Sequence, residues 1–271
     1  MKKRAFVETT VLTDLLLKRG ELNERAATAL KRFEETLLPV YAIKEFKAGP
    51  LRNFVWLHNK LVVLDSFEAA LDALQRISRT PRRYLTSTAI EALKTSAYSI
   101  SKTKGSELFE KYGPDSDLDS IQRDEYRLAL KTAVIKAWRR RKRSFSAVVQ
   151  PLSCYTEVAP QEQRGLLILE PVRCSPENGC CLGPELAKAP GVLEALKKAT
   201  EQIDNAEHRR RSKTLHEIAR KPNLPVSESQ CRALGDAIFA FFAPADSVIL
   251  TTNMRDLQPL AEAIGKTAEA P

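Results

Sequence analysis

Acidic and amide side chains break apolar runs at both ends of this chain. Near the C-terminus, Asp236 sits in Ala233–Phe242, a stretch otherwise made of Ala, Gly, Leu, Ile and Phe. The apolar run Val248-Ile249-Leu250 leads straight into Thr251, Thr252 and Asn253, with Asp256 close behind. Near the N-terminus, Ala5-Phe6-Val7 is followed at once by Glu8, Thr9 and Thr10, and Tyr41-Ala42-Ile43 comes shortly before Glu45. Carboxylates that follow strand ends without a local partner fit a shared hard cation, whose ligands are oxygen atoms. Two like charges about 4 Å apart repel by roughly 4 kcal/mol at an effective dielectric near 20. Such a cluster needs a divalent ion or a proton. The plainer readings are a surface glutamate on an edge strand for Glu8 and a helix-surface residue for Glu45, since Glu is a good helix former. Asp65 and Glu68 have capping-box spacing and are assigned to structure.

The elements that must position these residues follow from periodicity. Ala5–Val7 predicts a short buried strand running into a helix through Leu17. Glu8 then lies at the C-terminal end of that strand, where ligands gather in open α/β sheets. Leu22, Ala26, Leu30, Phe33 and Leu37 recur at helical spacing and predict one amphipathic helix ending before Pro39. Residues 39–43 then connect to a helix carrying Glu45. Helical patterns continue from Asp65, over 83–102, from about 118 through Trp138, over Pro184–Ile203 and over His208–Ile218. Phe145–Val149 and Gly165–Leu169 read as strands amid several prolines. Ser227 caps a helix expected to carry Cys231, Leu234, Asp236 and Ile238.

A formal net charge of +9 favours an anionic partner, nucleic acid first and an anionic membrane surface second. The positive charge is densest in Arg139, Arg140, Arg141, Lys142 and Arg143, and again in Arg209, Arg210 and Arg211 with Lys213. These read as phosphate-binding patches, with Trp138 and Phe145 for base stacking. The alternative is solvated helix ends whose charge complements the helix dipole. No apolar run approaches the roughly 18 residues of a membrane span. Glu8, Asp14 and Lys18 interrupt what would follow Met-Lys-Lys-Arg in a signal peptide, so a cytoplasmic location without membrane contact is expected. Five cysteines without a Cys-x-x-Cys predict free thiols; a zinc site from Cys154, Cys174, Cys180 and Cys181 is the alternative. None of His58, His208 and His216 has a motif around it.

Taken together, Phe6-Val7-Glu8-Thr9-Thr10-Val11-Leu12, Glu45 after Tyr41, Gly235-Asp236-Ala237-Ile238 and Leu250-Thr251-Thr252-Asn253-Met254-Arg255-Asp256-Leu257 resemble the motifs of PIN-domain nucleases. The resemblance covers about 4–62 and 226–266 and departs at Glu8, where the family usually has aspartate. It implies a three-layer α/β fold with a mostly parallel central sheet. It also implies cleavage of RNA, less often DNA, with Mg²⁺ or Mn²⁺ held by Glu8, Glu45, Asp236 and Asp256. Asn253 would orient a carboxylate or water, and the hydroxyls of Thr9 and Thr252 would lie nearby. The alternative is a catalytically weak or inactive PIN-like module that binds nucleic acid or a protein. The organisation expected is a nuclease core of 1–62 and 226–271, a helical insertion over 63–143, and a Cys/Pro-rich mixed insertion with returning helices over 144–225. A cognate antitoxin or a defence-system protein is the partner such a chain would have.

Overall fold

Ala5, Phe6 and Val7 are all buried, which marks their strand as central and covered on both faces. In the computed structural model, residues 3–78, 84–100, 105–113, 116–149, 157–170, 180–203, 205–223 and 225–271 are described. The strands are β1 (Arg4–Val7), β2 (Glu35–Pro39), β3 (Ala147–Val149), β4 (Gln161–Gln163), β5 (Leu166–Ile168), β6 (Ser247–Leu250) and β7 (Thr267–Glu269). Five of them form one parallel sheet in the order β3-β2-β1-β6-β7, while β4 and β5 pair as a separate antiparallel hairpin. The chain leaves β1 toward β2 on one side, and β6 returns on the other. The strand order therefore reverses at β1, and in open α/β sheets ligands gather beyond the C-terminal strand ends at such a reversal. The register pairs Val7 with Leu250, so Glu8 and Thr251 emerge level with each other. The Glu8 N–H donates to Leu250 O at 3.0 Å, which ties the two strand ends together.

Around the sheet run α1 (Thr9–Leu17), α2 (Glu21–Leu30), α3 (Val40–Phe46), α4 (Arg52–Val63), α5 (Phe67–Ser78), α6 (Tyr84–Ile100), α7 (Gly105–Tyr112), α8 (Leu118–Arg140), α9 (Leu182–Ala187), α10 (Pro190–Glu201), α11 (Ala206–Arg220), α12 (Glu228–Ala233), α13 (Gly235–Phe242) and α14 (Met254–Ala263). A π-helical turn, Lys47–Leu51, joins α3 to α4 and contains Pro50, which has no N–H for a regular α-helical bond. Right-handed crossovers that step in opposite directions along a sheet put their helices on opposite faces. In keeping with this, α1 packs on α2, α3 and α8, while α14 packs on α10 and α13. The result is an α/β protein whose parallel sheet and flanking helices fit a three-layer arrangement. No helix among the described residues is long and apolar enough to cross a membrane.

Several local expectations change. The helix predicted through Leu37 stops at Leu30, and Leu37 and Leu38 lie buried in β2. Pairing with β1 overrides the helical period at Phe33 and Leu37. The capping box from Asp65 does not form: Ser66 Oγ accepts from the Ala69 N–H at 3.0 Å, and the Asp119 carboxylate accepts from the N–H groups of Phe67 and Glu68. Ser227 does cap α12 in a full capping box with Gln230, but the helix breaks at Leu234, and Asp236 opens a second one. Within 144–225, β3 pairs with β2 as an edge strand of the central sheet. Cys154 and Cys174 lie outside the described residues; Cys180 and Cys181 are half-buried free thiols and Cys231 is buried.

Candidate acidic site at the sheet edge

Glu8 is the N-cap of α1, and its longer side chain folds back over its own helix. The Thr10 N–H donates to Glu8 Oε2 at 2.9 Å, the Thr10 hydroxyl donates to the same oxygen, and the Thr251 hydroxyl reaches it at 3.0 Å. All three donors are neutral. Burial pushes the Glu8 carboxyl up to about 7; its hydrogen bonds oppose the shift and the charge of Asp236 adds to it. The extra methylene relative to aspartate, about 1.5 Å of reach, is taken up by this capping geometry.

Glu45 projects from α3. Thr9 Oγ1 donates to Glu45 Oε2 at 2.7 Å. Burial, then the neighbouring Glu8 charge, push Glu45 up to about 8. Its other oxygen faces Gly235, where a Cβ would stand 3.0 Å from Glu45 Oε1. Glycine lets the start of α13 approach that closely. Phe239 of α13 meets Tyr41 of α3 edge-on at 5.4 Å between ring centroids and Phe6 of β1 at 6.4 Å, forming the apolar floor that fixes the three elements. The Tyr41 hydroxyl donates to Cys231 O at 3.2 Å.

Asp236, in the first turn of α13, has a cation as its main partner. Arg211 Nη2 donates to Asp236 Oδ2 at 2.5 Å, and Asn253 Nδ2 lies 3.4 Å from Oδ1. Burial still leaves the Asp236 carboxyl above its usual range, against the pull of Arg211. Asp256 is buried in the first turn of α14 and faces different company. Arg255 donates to both of its oxygens, at 3.0 and 3.3 Å, and His208 Nε2 stands 3.5 Å from Oδ1. Burial would raise Asp256, but Arg255 and His208 outweigh it and hold the carboxyl below its usual range.

The charges of Glu8 and Asp236 both weigh on Glu45, that of Asp236 weighs on Glu8, and that of Asp256 weighs on Asp236. Asn253 sits between β6 and α14 beside Asp236, as the sequence suggested. The Thr9 hydroxyl lies beside a carboxylate, that of Glu45. Thr252 does not: it is exposed, and only its N–H takes part, donating to Thr10 Oγ1 at 3.0 Å. Thr251, buried one residue earlier, holds Glu8 instead and accepts from the Asn253 N–H at 2.9 Å. In β6 alternate residues face the same way, so a shift of one position moves the hydroxyl from the site to solvent. Among the described residues, no group of three or more His, Cys, Asp or Glu side chains stands in metal-ligating geometry.

The basic runs divide. Arg211 is fully buried, with its Nε donating to Ala233 O at 3.0 Å and its Nη1 3.4 Å from the His208 ring. It belongs to the acidic site and is not a surface phosphate ligand. Arg209 and Arg210 are exposed on the same helix. In the other run, Arg141 lies over Trp138 at 3.7 Å and pairs with Glu157, which also takes Lys142 at 2.6 Å. Trp138 is buried beneath Arg141 and beside Lys47, which excludes it as a stacking platform; Phe145 packs partly buried against the core. Arg139, Arg140 and Arg143 remain exposed. This run precedes β3 and so enters the sheet from its N-terminal end, opposite the carboxylates.

Sequence reasoning found no motif around His208, assigned Arg211 to a phosphate-binding patch and passed over Thr251. A signal for the first two was present: 208, 211, 215 and 218 fall on one helical stripe, and Leu215 and Ile218 mark that stripe as the buried one. Two ionisable residues on an apolar stripe imply buried partners. Comparison of the chain with protein-family models, with curated proteins and with solved structures yields no match in any of the three.

Proposed function

We propose that this protein is a PIN-like, metal-dependent nuclease, an RNA endonuclease first and a DNA nuclease second. The observation that carries the reading is the meeting of Glu8, Glu45 and Asp236 at the strand-order reversal. They come from three distant stretches of chain and lie buried with too few cations to balance them. The donor set is all oxygen, which suits Mg²⁺ or Mn²⁺ over softer metals. The close approach that Gly235 allows keeps Glu45 Oε1 inside the cluster. Glu8, Glu45 and Asp236 would hold the ion after a shift of their side chains, since among the described residues no three such groups stand in metal-ligating geometry. When bound, it would supply Lewis-acid stabilisation of phosphate charge and a water of lowered pKa. Thr9, Thr10 and Thr251 orient the carboxylates, and Asn253 positions Asp236. Exposed Arg209 and Arg210, on the helix that delivers Arg211, would attract the polyanion electrostatically.

A second reading is favoured by one contact, the pairing of Asp236 with buried Arg211. It balances part of the cluster internally, as a module that binds nucleic acid without cutting it would require. Cleavage of labelled RNA and DNA in Mg²⁺ or Mn²⁺ separates the two. Wild type is expected to cut, and Asp236→Asn to lose at least about a hundredfold in rate, the scale of removing a group that stabilises the transition state. Cleavage untouched by the substitution removes the site assignment, and binding without cleavage in either ion favours the second reading.

A further inference from the structure

A cavity of about 170 Å³ opens between the end of α1, α6 and α8. Glu8 caps the start of α1 and Arg19 lies just past its end, so the nine-residue helix, about 13 Å long, separates this cavity from the acidic site. Its polar lining is Arg19 after α1, Thr95 and Ser96 of α6, and Glu125, Thr132 and Lys136 of α8. Ser96 is 1% exposed, and its Oγ is buried with no hydrogen-bond partner among the described residues. Buried hydroxyls are nearly always paired, because an unpaired one has lost its water without replacement. Glu125 is engaged elsewhere: its Oε1 accepts from Lys111 Nζ at 2.6 Å and from the Tyr112 hydroxyl at 2.8 Å. The lining therefore sets two cations, Arg19 and Lys136, against one carboxylate that Lys111 of α7 already balances.

Size and chemistry narrow the occupant. A volume of about 170 Å³ exceeds the roughly 30 Å³ share of one water and falls short of the roughly 300 Å³ at which pockets for drug-sized ligands begin. Donors arrive from three separate elements, two of them charged. A carboxylate offers two oxygens, whereas a phosphate monoester offers three terminal oxygens and up to two negative charges. We propose that this cavity binds the phosphate group of a small phosphate monoester. Arg19 and Lys136 supply the charge, and the hydroxyls of Ser96, Thr95 and Thr132 donate to the phosphate oxygens. The site is independent of the nuclease reading and of any metal.

Calorimetric titration of the full chain with inorganic phosphate, at fixed ionic strength, tests this. One phosphate per chain is expected, with a Kd below about 1 mM. Ser96→Ala and Lys136→Gln should each weaken binding about tenfold. Lys198→Gln, exposed on α10 and outside the lining, should not change it. Without phosphate, Ser96→Ala should melt at or above the wild-type temperature, because it deletes an unpaired polar group. Acetate at the same concentrations should give no saturable heat. Absence of phosphate binding overturns the proposal, as it leaves water as the only occupant. Equal affinity in wild type, Ser96→Ala and Lys136→Gln overturns it by placing the phosphate elsewhere on the basic surface. A lower melting temperature for Ser96→Ala overturns the open hydroxyl on which the site is built. Acetate binding as tight as phosphate overturns the assignment to a phosphate group.

Discussion

Glu8 and Asp256 are both buried carboxylates at the same sheet edge, within the first residues of a helix or at its cap, yet their environments drive them in opposite directions. Around Glu8 every hydrogen-bond donor is neutral, and burial lifts its carboxyl to about 7. Around Asp256 the partners are Arg255 and His208, and they hold it ionised. Residue type alone therefore does not say which acid is hungry for a cation. The charge of its neighbours does. The Glu8–Glu45 side has capacity for a proton or a metal ion, whereas the Asp256 side is already balanced, and Arg211 is the seam between them.

The sharpest way to break this contrast is Arg211→Gln in the absence of divalent ions. It leaves Asp236 buried without its cation and is expected to lower unfolding free energy by about 3–5 kcal/mol in urea titrations. A loss below about 1 kcal/mol would mean that Arg211 is not the balancing charge. Next in size is a pH effect. A carboxyl raised from 4.5 to about 7 or 8 keeps its proton in the folded chain where the unfolded chain has released it. Its stabilising contribution is therefore greatest below about pH 4.5 and declines as pH rises toward 8. His58 and His208, both lowered chiefly by burial, act in the opposite sense near their ordinary range. Comparison with Glu45→Gln in chelator cancels them. The variant should gain on wild type between pH 5 and 8 by at most about 1.4 kcal/mol per pH unit, and added Mn²⁺ should reverse that gain. A difference independent of pH would show that Glu45 is ionised throughout.

Thr251→Val removes one of three donors on Glu8 Oε2 and should cost about 1 kcal/mol, whereas Thr252→Val, at the exposed neighbour, should leave stability unchanged. Equal effects would contradict the inward-facing position of Thr251. The smallest change is expected from Arg255→Ala. The Arg255 side chain is 84% exposed, so its pair with Asp256 is well screened. Thermal melting should not move measurably, while the Asp256 titration observed by carboxyl NMR should rise toward the usual aspartate range. An unmoved Asp256 would assign its low pKa to His208 alone.

Much of this arrangement was legible before the fold was known. Glu8 after an apolar tripeptide, Asp236 within an apolar helix and Asn253 after a strand are local anomalies, and each landed at the sheet edge. Arg211 was misread because it stood in an Arg-Arg-Arg run whose other two members are exposed. Only the helical phase of 208, 211, 215 and 218 distinguishes it. Leu37 was misread because its spacing suits a helix as well as a strand, and the choice was made by β1 offering it backbone partners. Trp138 and Arg141 looked like a nucleic-acid surface and became a stacked pair at the core's edge, because Lys47 arrives from a distant part of the chain and Glu157 from 16 residues beyond Arg141.

The sequence by itself determined an α/β protein with carboxylates after its strands and a strongly positive surface, since alternation, helical period and charge are written locally. The tertiary structure alone decided which carboxylate meets a hydroxyl, which meets a guanidinium, and that one arginine of the basic runs turns inward. Those outcomes depend on residues more than a hundred positions apart, such as Glu8 and Thr251, sharing one buried volume, where a single charge more or less sets the protonation of every neighbour.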